Sequence, residues 1–251
     1  MSSSSRLTRQ DAEGLCTLTL NRAEKLNALD TESFKALDSH IRDLENDAKV
    51  GCVVLRGAGR CFCAGADLNA LADDGEKPPP DYKPKVIERL SALKQPVIAA
   101  VHGKCLTGGL ELALACDFII ADADAQFADT HAKWGLVSAW GMSQRLPRRI
   151  GMAAAKRLMM TACSVGAPEA KQLGLIDVLA PEGTLDEVLK SFVDEILANS
   201  WFTNFATKRL MRETEGMPLA QGLAHENFRY PGLAPDHLER IAAFLRRREP
   251  K

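Results

Sequence analysis

Apolar and polar positions change period repeatedly along the chain. Leu15, Thr17 and Thr19 alternate with Cys16, Leu18 and Leu20, the two-residue repeat of a half-buried strand. Between Thr31 and Ala48 the apolar residues Phe34, Leu37, Ile41 and Leu44 fall three and four apart, which places them on one face of a helix. Cys52 to Leu55 reads as a strand leading into a glycine-rich turn, Val97 to Val101 as a fully buried strand, and Phe118 to Ala121 and Ile176 to Leu179 as two more. Strands interleaved with helices predict an α/β body with parallel pairing. After Thr184 the strand pattern stops. Leu185 to Leu197, Phe202 to Glu215, Leu219 to Phe228 and Pro235 to Arg248 all carry helical spacing, which predicts a helical unit at the C-terminal end. Asp73 to Lys85 has no period and holds Pro78, Pro79, Pro80 and Pro84 among charges, so it predicts a mobile surface loop that is poorly ordered without ligand.

Charge and composition then narrow the field. Lys plus Arg number 32 and Asp plus Glu 33, a net charge of −1, and 46% of residues are hydrophobic. That balance argues against a nucleic-acid-binding coat and against an acidic disordered tail. No stretch approaches the roughly 18 continuous apolar residues of a membrane helix, and the start, Met1 followed by Ser2 to Ser5 and Arg6, lacks an apolar signal core. Seven scattered cysteines make a poor disulfide framework, and the Cys61-x-Cys63 pair alone is a weak metal signal, so the thiols read as structural and the compartment as cytoplasmic.

Two segments carry candidate chemistry. In His102 to Asp117 (HGKCLTGGLELALACD) a buried strand runs through a loop ending in Thr107, Gly108 and Gly109 into an apolar helix. Glycines at a helix start let a ligand approach N–H groups that have no intrahelical partner. Within that helix Glu111 either faces solvent or is buried, and burial raises a carboxyl's pKa toward the range of a general acid or base. The second segment, Arg56 to Leu68 (RGAGRCFCAGADL), contains Gly57-x-Gly59, but Phe62 stands where a dinucleotide fingerprint needs its third glycine. Its small residues Ala64, Gly65 and Ala66 suit backbone donors converging on a ligand.

RCFCAGADL, PVIAAVHGKCLTGGLELALACD, AQFADTHAKWGLVSAWGMSQRLPRRIG and, near the start, NRAEKLNAL together resemble the enoyl-CoA hydratase/isomerase (crotonase) family, as does the ending DHLERIAAFLRRREP. The resemblance spans nearly the whole chain. It implies a crotonase-like spiral of repeated ββα units over residues 1–193, a helical C-terminal trimerisation domain over 194–251, an acyl-CoA substrate, and a homotrimer or a hexamer built as a dimer of trimers. Coenzyme A is then part of the substrate, and no metal or redox cofactor is implied. By the same resemblance the N–H groups of Ala66 and Gly108 form an oxyanion hole and Glu111 is one of two catalytic glutamates. Lys25, Ala64, Asp67, Leu68, Ala139, Trp140, Phe244 and Arg247 fall at substrate-binding positions, with Arg246 and Arg248 extending the basic run.

The sequence departs from the family at the second glutamate, whose place is taken by His131. Asp129 or Thr130 reads as an N-cap and Gly135 as a stop, putting His131 in the first turn of a short helix, where the helix dipole lowers an imidazole's pKa. His131 is then either the second proton carrier or a local hydrogen-bonding residue. Just downstream, Ser138, Ala139 and Trp140 replace the family's Pro-Gly and small residue. Ala139 keeps a water-orienting N–H, while Trp140, with Trp134, either narrows the acyl pocket or belongs to the core. The activity implied is hydration of a 2-enoyl-CoA thioester. Alternatives are a Δ3,Δ2-enoyl-CoA isomerase, which needs a single base, and a catalytically weak acyl-CoA-binding paralogue. A dehalogenase is disfavoured because Ser138 to Gly141 offers no Asp nucleophile.

Overall fold

The computed structural model describes residues 5–72 and 78–246. Six strands form the main sheet, in the order β1 (Leu7–Ala12), β2 (Leu15–Leu20), β3 (Cys52–Gly57), β4 (Val97–Val101), β6 (Phe118–Asp122) and β9 (Val178–Ala180). The first pair is an antiparallel hairpin and every later pairing is parallel. Its turn uses Glu13 (φ 49°) and Gly14 (φ 86°), the left-handed pair that a two-residue hairpin requires. β1 carries only one buried residue, Leu7, so its polar sequence gives no strand signal, and the hairpin makes it an edge. By contrast all five residues of β4 are buried, as expected of an interior parallel strand covered on both faces.

Alternation divides the core in two. Val97, Ala99 and Val101 join Val53, Leu55 and the inward faces of helices α1 (Thr31–Glu45), α3 (Tyr82–Ala92) and α4 (Gly108–Leu114). Ile98 and Ala100 join Cys52, Val54 and Ile120 under helix α8 (Leu185–Ala198). α1 starts where Asp30 accepts the Ser33 N–H at 2.8 Å, an N-cap, and it stops at Glu45, short of the sequence expectation at Ala48. Beyond it Asp47 accepts the Lys49 N–H and pairs with Arg9, holding the chain in a turn.

Long strands are followed by short ones that leave the main sheet: β4 by β5 (Lys104–Leu106) and β6 by β7 (Gln126–Ala128), with β8 (Ser164–Gly166) completing a three-stranded sheet in the order β5-β7-β8. The bend between β4 and β5 is made at Gly103 (φ 54°), where a Cβ would lie 2.2 Å from the Arg60 carbonyl oxygen. β4, β5 and α4 thus form one ββα unit, and its helix points its N-terminus at the loop after β3. The short helix α2 (Leu68–Ala72) follows that loop. Of the expected loop Asp73 to Lys85, residues 73–77 lie outside the described residues, and Tyr82 to Lys85 form the first turn of α3. Pro84 is tolerated there because first-turn N–H groups have no intrahelical acceptor.

Helices α5 (Met142–Ile150), α6 (Met152–Thr161) and α7 (Ala167–Gln172) pack against the smaller sheet and the α4 end of the core. The strands end at Ala180, and the division expected at residue 193 falls inside α8, which lies on the main sheet. Helices α9 (Trp201–Thr214), α10 (Leu219–Arg229) and α11 (His237–Arg246) follow. Trp201 fits against Gly14 and Gly51, where any Cβ would overlap the indole, and Lys208 on α9 reaches Asp117 at 2.6 Å and the Gln95 carbonyl at 2.8 Å. These three helices bury none of their own residues and expose Met211, Leu219, Phe228, Ile241 and Leu245. Among the described residues no helix is long and apolar enough to cross a membrane. All seven cysteines are free, and burial pushes the Cys63 and Cys116 thiols up to about 12, the chemistry of structural thiols.

Candidate active site

The loop after β3 is sewn down on both sides. Cys63 donates to the Lys104 carbonyl and accepts from Leu106, Ala64 donates to Leu26, Leu29 donates to Gly65, and Asp67 donates to Leu29. The N–H of Ala66 falls between these bonds, and that of Gly108 is the first of α4, among the donors a helix leaves without an intrahelical acceptor. A Cβ placed on Gly108 would sit 3.3 Å from the Ala66 nitrogen, and one on Gly65 3.3 Å from the Gly108 nitrogen. The two donors are therefore neighbours, as an oxyanion hole requires. Thr107, the residue before α4, holds φ 50° and ψ −111°, an unfavourable backbone for a β-branched side chain. Its hydroxyl is 2.5 Å from that of Thr130 and accepts the Thr130 N–H at 3.1 Å, so the bonds that hold this strained turn also tie the oxyanion loop to the His131 segment.

Glu111 lies one turn into α4 and is 1% exposed. Burial raises its pKa, partly offset by the N–H groups of Trp140 and Met142, which donate to Oε1 at 2.9 and 3.2 Å. Its other oxygen, Oε2, is 3.8 Å from His131 Nε2. The short helix expected around His131 is present as a single 3-10 turn, His131–Trp134, ended by Gly135 in the left-handed conformation. Asp129 accepts both the His131 backbone N–H at 3.1 Å and Nδ1 at 2.6 Å. The expected lowering of the His131 pKa does not occur. Burial is the largest single influence and lowers it, but the Asp129 hydrogen bond and the charges of Asp129 and Glu111 together raise it above the ordinary value. A carboxylate in contact outweighs a one-turn helix dipole. The same Asp129 oxygen accepts the His131 backbone N–H and lies against Nδ1, which leaves Nε2 turned to Glu111.

A cavity of about 420 Å³ opens beside the Ala66 and Gly108 N–H groups, lined by Lys25, Ala64, Ala66, Leu68, Lys133 and Trp134 among others. The enoyl-CoA hydratase/isomerase family model matches residues 10–251. The chain belongs to the enoyl-CoA hydratase/isomerase family. It is 30% identical over 97% of its length to a probable peroxisomal enoyl-CoA hydratase of Arabidopsis thaliana, covering 93% of that protein, and 33% identical over 94% to a short-chain-enoyl-CoA hydratase of Clostridium acetobutylicum, covering 92%. The 1,2-epoxyphenylacetyl-CoA isomerase of Escherichia coli matches at 33% over 95% of both chains. Among solved structures, an enoyl-CoA hydratase from Bacillus anthracis superposes with a TM-score of 0.90 at 32% identity, covering 98% of each chain.

The structure brings some of the expected site residues together and leaves others apart. Lys25, Ala64, Ala66, Leu68 and His131 meet around the cavity. Asp67 also lines it, but its carboxylate is 2.8 Å from Arg22 Nη1 and accepts the Asn69 N–H, so it fixes the loop through the half-buried Arg22. Ala139 is exposed, and the donors its loop aims at the Glu111 carboxylate are Trp140 and Met142. Trp140 is half-buried and packs edge-on to Phe34 with ring centroids 4.9 Å apart. Trp134, the second indole in question, is exposed at the cavity. Phe244 lies exposed on α11 and is not among the residues lining this cavity, while Arg247 and Arg248 lie outside the described residues. Sequence reasoning took Asp129 for a cap and passed over Lys133; the short spacing Asp129-x-His131 is a weak signal for a carboxylate paired to an imidazole.

Proposed function

We propose that this protein is an enoyl-CoA hydratase that adds water across the double bond of a 2-enoyl-CoA thioester. The observation that carries the reading is the pairing of buried Glu111 with an imidazole held by Asp129, beside the adjacent N–H groups of Ala66 and Gly108. The thioester oxygen sits on those two donors, which stabilise the negative charge that develops there as the β-carbon is attacked. Glu111 Oε2 takes a proton from water as its oxygen bonds to Cβ. His131 Nε2–H delivers a proton to Cα, and the proton on Glu111 then returns to the imidazole, its neighbour at 3.8 Å. A water about 2.8 Å from both atoms spans that gap at a contact angle near ~85°. The raised pKa of His131 suits the acid role, since more of it is protonated at neutral pH than of a free histidine. Asp129 is a positioning residue: it fixes the tautomer and supports the imidazolium.

The cavity beside the hole receives the coenzyme A arm, with Lys25 and Lys133 supplying cations for its phosphates. The exposed apolar residues of α9 to α11 support assembly into a homotrimer or a dimer of trimers. Free cysteines throughout suit a reducing compartment such as the cytoplasm. The test is to follow crotonyl-CoA by loss of the conjugated-thioester absorbance and to identify the product. Formation of 3-hydroxybutyryl-CoA by wild type, lost in Glu111→Gln, is expected. Conversion of a 3-enoyl-CoA to its conjugated isomer without hydration of crotonyl-CoA would instead assign the isomerase reaction. Tight binding of CoA esters with neither reaction would assign a binding role.

A further inference from the structure

Trp140 is not among the residues lining the cavity of about 420 Å³ but stands behind the Gly108 end of the site. Its N–H donates to Glu111 Oε1 at 2.9 Å, and its ring edge covers Gly108: a Cβ on that glycine would lie 2.4 Å from Cζ3 and 3.1 Å from Cε3. The indole therefore touches the backbone that supplies one of the two oxyanion donors. It is also fixed in place. Arg145 Nη1 donates to the Trp140 carbonyl at 3.0 Å while Nη2 pairs with Glu88 at 2.8 Å, Phe34 meets the ring at 70°, and Lys83 Nζ lies 5.9 Å from its centroid. The backbone N–H and C=O anchor the main chain at this residue, while Phe34 and Lys83 bound the ring, so swinging the indole aside forfeits its contacts with both.

We propose that Trp140 is the wall that sets acyl-chain length, admitting short 2-enoyl groups and turning away long ones; this rests on the hydratase reading above. The thioester oxygen is fixed at Ala66 and Gly108, and Cα and Cβ must reach Glu111 and His131. The coenzyme A arm leaves through the cavity on the side of Lys25, Ala64 and Leu68, whose lining includes neither Glu111 nor Trp140. Carbons beyond Cβ consequently run past Glu111 against the indole. Gly108 and Trp140 act as a complementary pair, the absent side chain of one making room for the ring of the other.

The test measures kcat/KM for crotonyl-, hexenoyl-, octenoyl- and decenoyl-CoA with wild type, Trp140→Phe and Trp140→Ala, each first checked for a cooperative thermal melt. A methylene that meets a fixed wall changes kcat/KM by about tenfold or more. Wild type should fall at least that much from crotonyl- to octenoyl-CoA. In Trp140→Ala the octenoyl-to-crotonyl ratio should rise by about tenfold or more, with Trp140→Phe between the two, and Phe serves alone if Ala does not fold. Equal use of both esters by wild type, or a ratio that moves less than about twofold in the variants, overturns the inference. Calorimetric affinities for butyryl- and octanoyl-CoA separate this from the hydratase reading. If no ester is turned over, octanoyl-CoA affinity that improves selectively when Trp140 is cut back still upholds the wall, and equal affinities in every variant remove it.

Discussion

The Nε2 atom of His131 faces Oε2 of Glu111 across 3.8 Å. That separation exists because three hydrogen bonds fix the partners from behind: Asp129 Oδ1 holds Nδ1 at 2.6 Å, and the Trp140 and Met142 N–H groups hold Oε1. Neither side chain can rotate freely, and the charge on each favours the charged form of the other. The site thereby holds side by side a carboxyl whose pKa is raised by burial and an imidazole whose pKa is raised by its anionic neighbours.

Replacing Asp129 by Asn should move the alkaline limb of the pH profile. His131 has its pKa raised, so the imidazolium needed by the acid role persists above the ordinary value of about 6.5. With the Asp129 charge gone, burial dominates and lowers that pKa, so activity should fall off at lower pH. At about pH 8 the loss is ~10-fold for each unit of displacement. A kcat/KM profile superimposable on wild type would show that Asp129 does not charge the imidazole.

Glu111→Gln should abolish turnover by a factor of about 10²–10⁴ while stabilising the fold. The folded-state pKa of Glu111 is raised, so its contribution to stability is present below its unfolded pKa and is lost as pH rises through the folded one. Glutamine does not ionise, and its oxygen can still accept from Trp140 and Met142. Thermal melts should therefore show a Tm advantage of the variant over wild type that is larger at about pH 8 than at about pH 5, amounting to ~2–4 °C per kcal/mol. An advantage that shrinks with pH would refute the assignment of burial as the dominant cause.

Thr107→Val keeps the branched shape at the strained position and deletes the hydroxyl. Thr130 then loses both bonds that tie it to the oxyanion loop. A cost of about 1–3 kcal/mol in denaturant unfolding is expected, together with a fall in kcat as the hole and the His131 turn uncouple. Unchanged kcat alongside lowered stability would confine Thr107 to a structural role.

Lys25→Ala and Lys133→Ala should each raise KM for CoA esters about two- to fivefold and leave kcat nearly unchanged, as exposed charges on a phosphate-bearing arm do. The effect should shrink at high salt. A change in kcat with KM constant would place these lysines near the reacting atoms instead of along the arm.

Much of this fold shows in the sequence because burial leaves a period. β4 is apolar throughout since both faces are covered, and β2 alternates since one is not. The strands β5, β7 and β8 have three residues each, too few to display a repeat, yet they bend the chain into its spiral. Glu111 is conspicuous as a charge in an apolar helix, and the Gly108–Gly109 pair marks the helix start beside it. What escapes the sequence is contact between distant segments. Asp129 looks like a cap until its second hydrogen bond is seen, and the pairing of Asp67 at the cavity with Arg22 joins residues 45 apart in the chain. The indole of Trp140 and the bare Cα of Gly108 meet across a separation that no local pattern encodes.

The most direct measurement is the rate of crotonyl-CoA hydration by wild type, His131→Ala and His131→Glu between about pH 5 and about pH 9. The paired acid and base predict collapse of turnover in the alanine variant. Restored activity is expected in the glutamate variant, with its alkaline limb moved to lower pH because a carboxyl gives up its proton earlier than the charged imidazole. Turnover in His131→Ala equal to wild type across that range would contradict the account, leaving Glu111 to work alone and His131 outside the reaction.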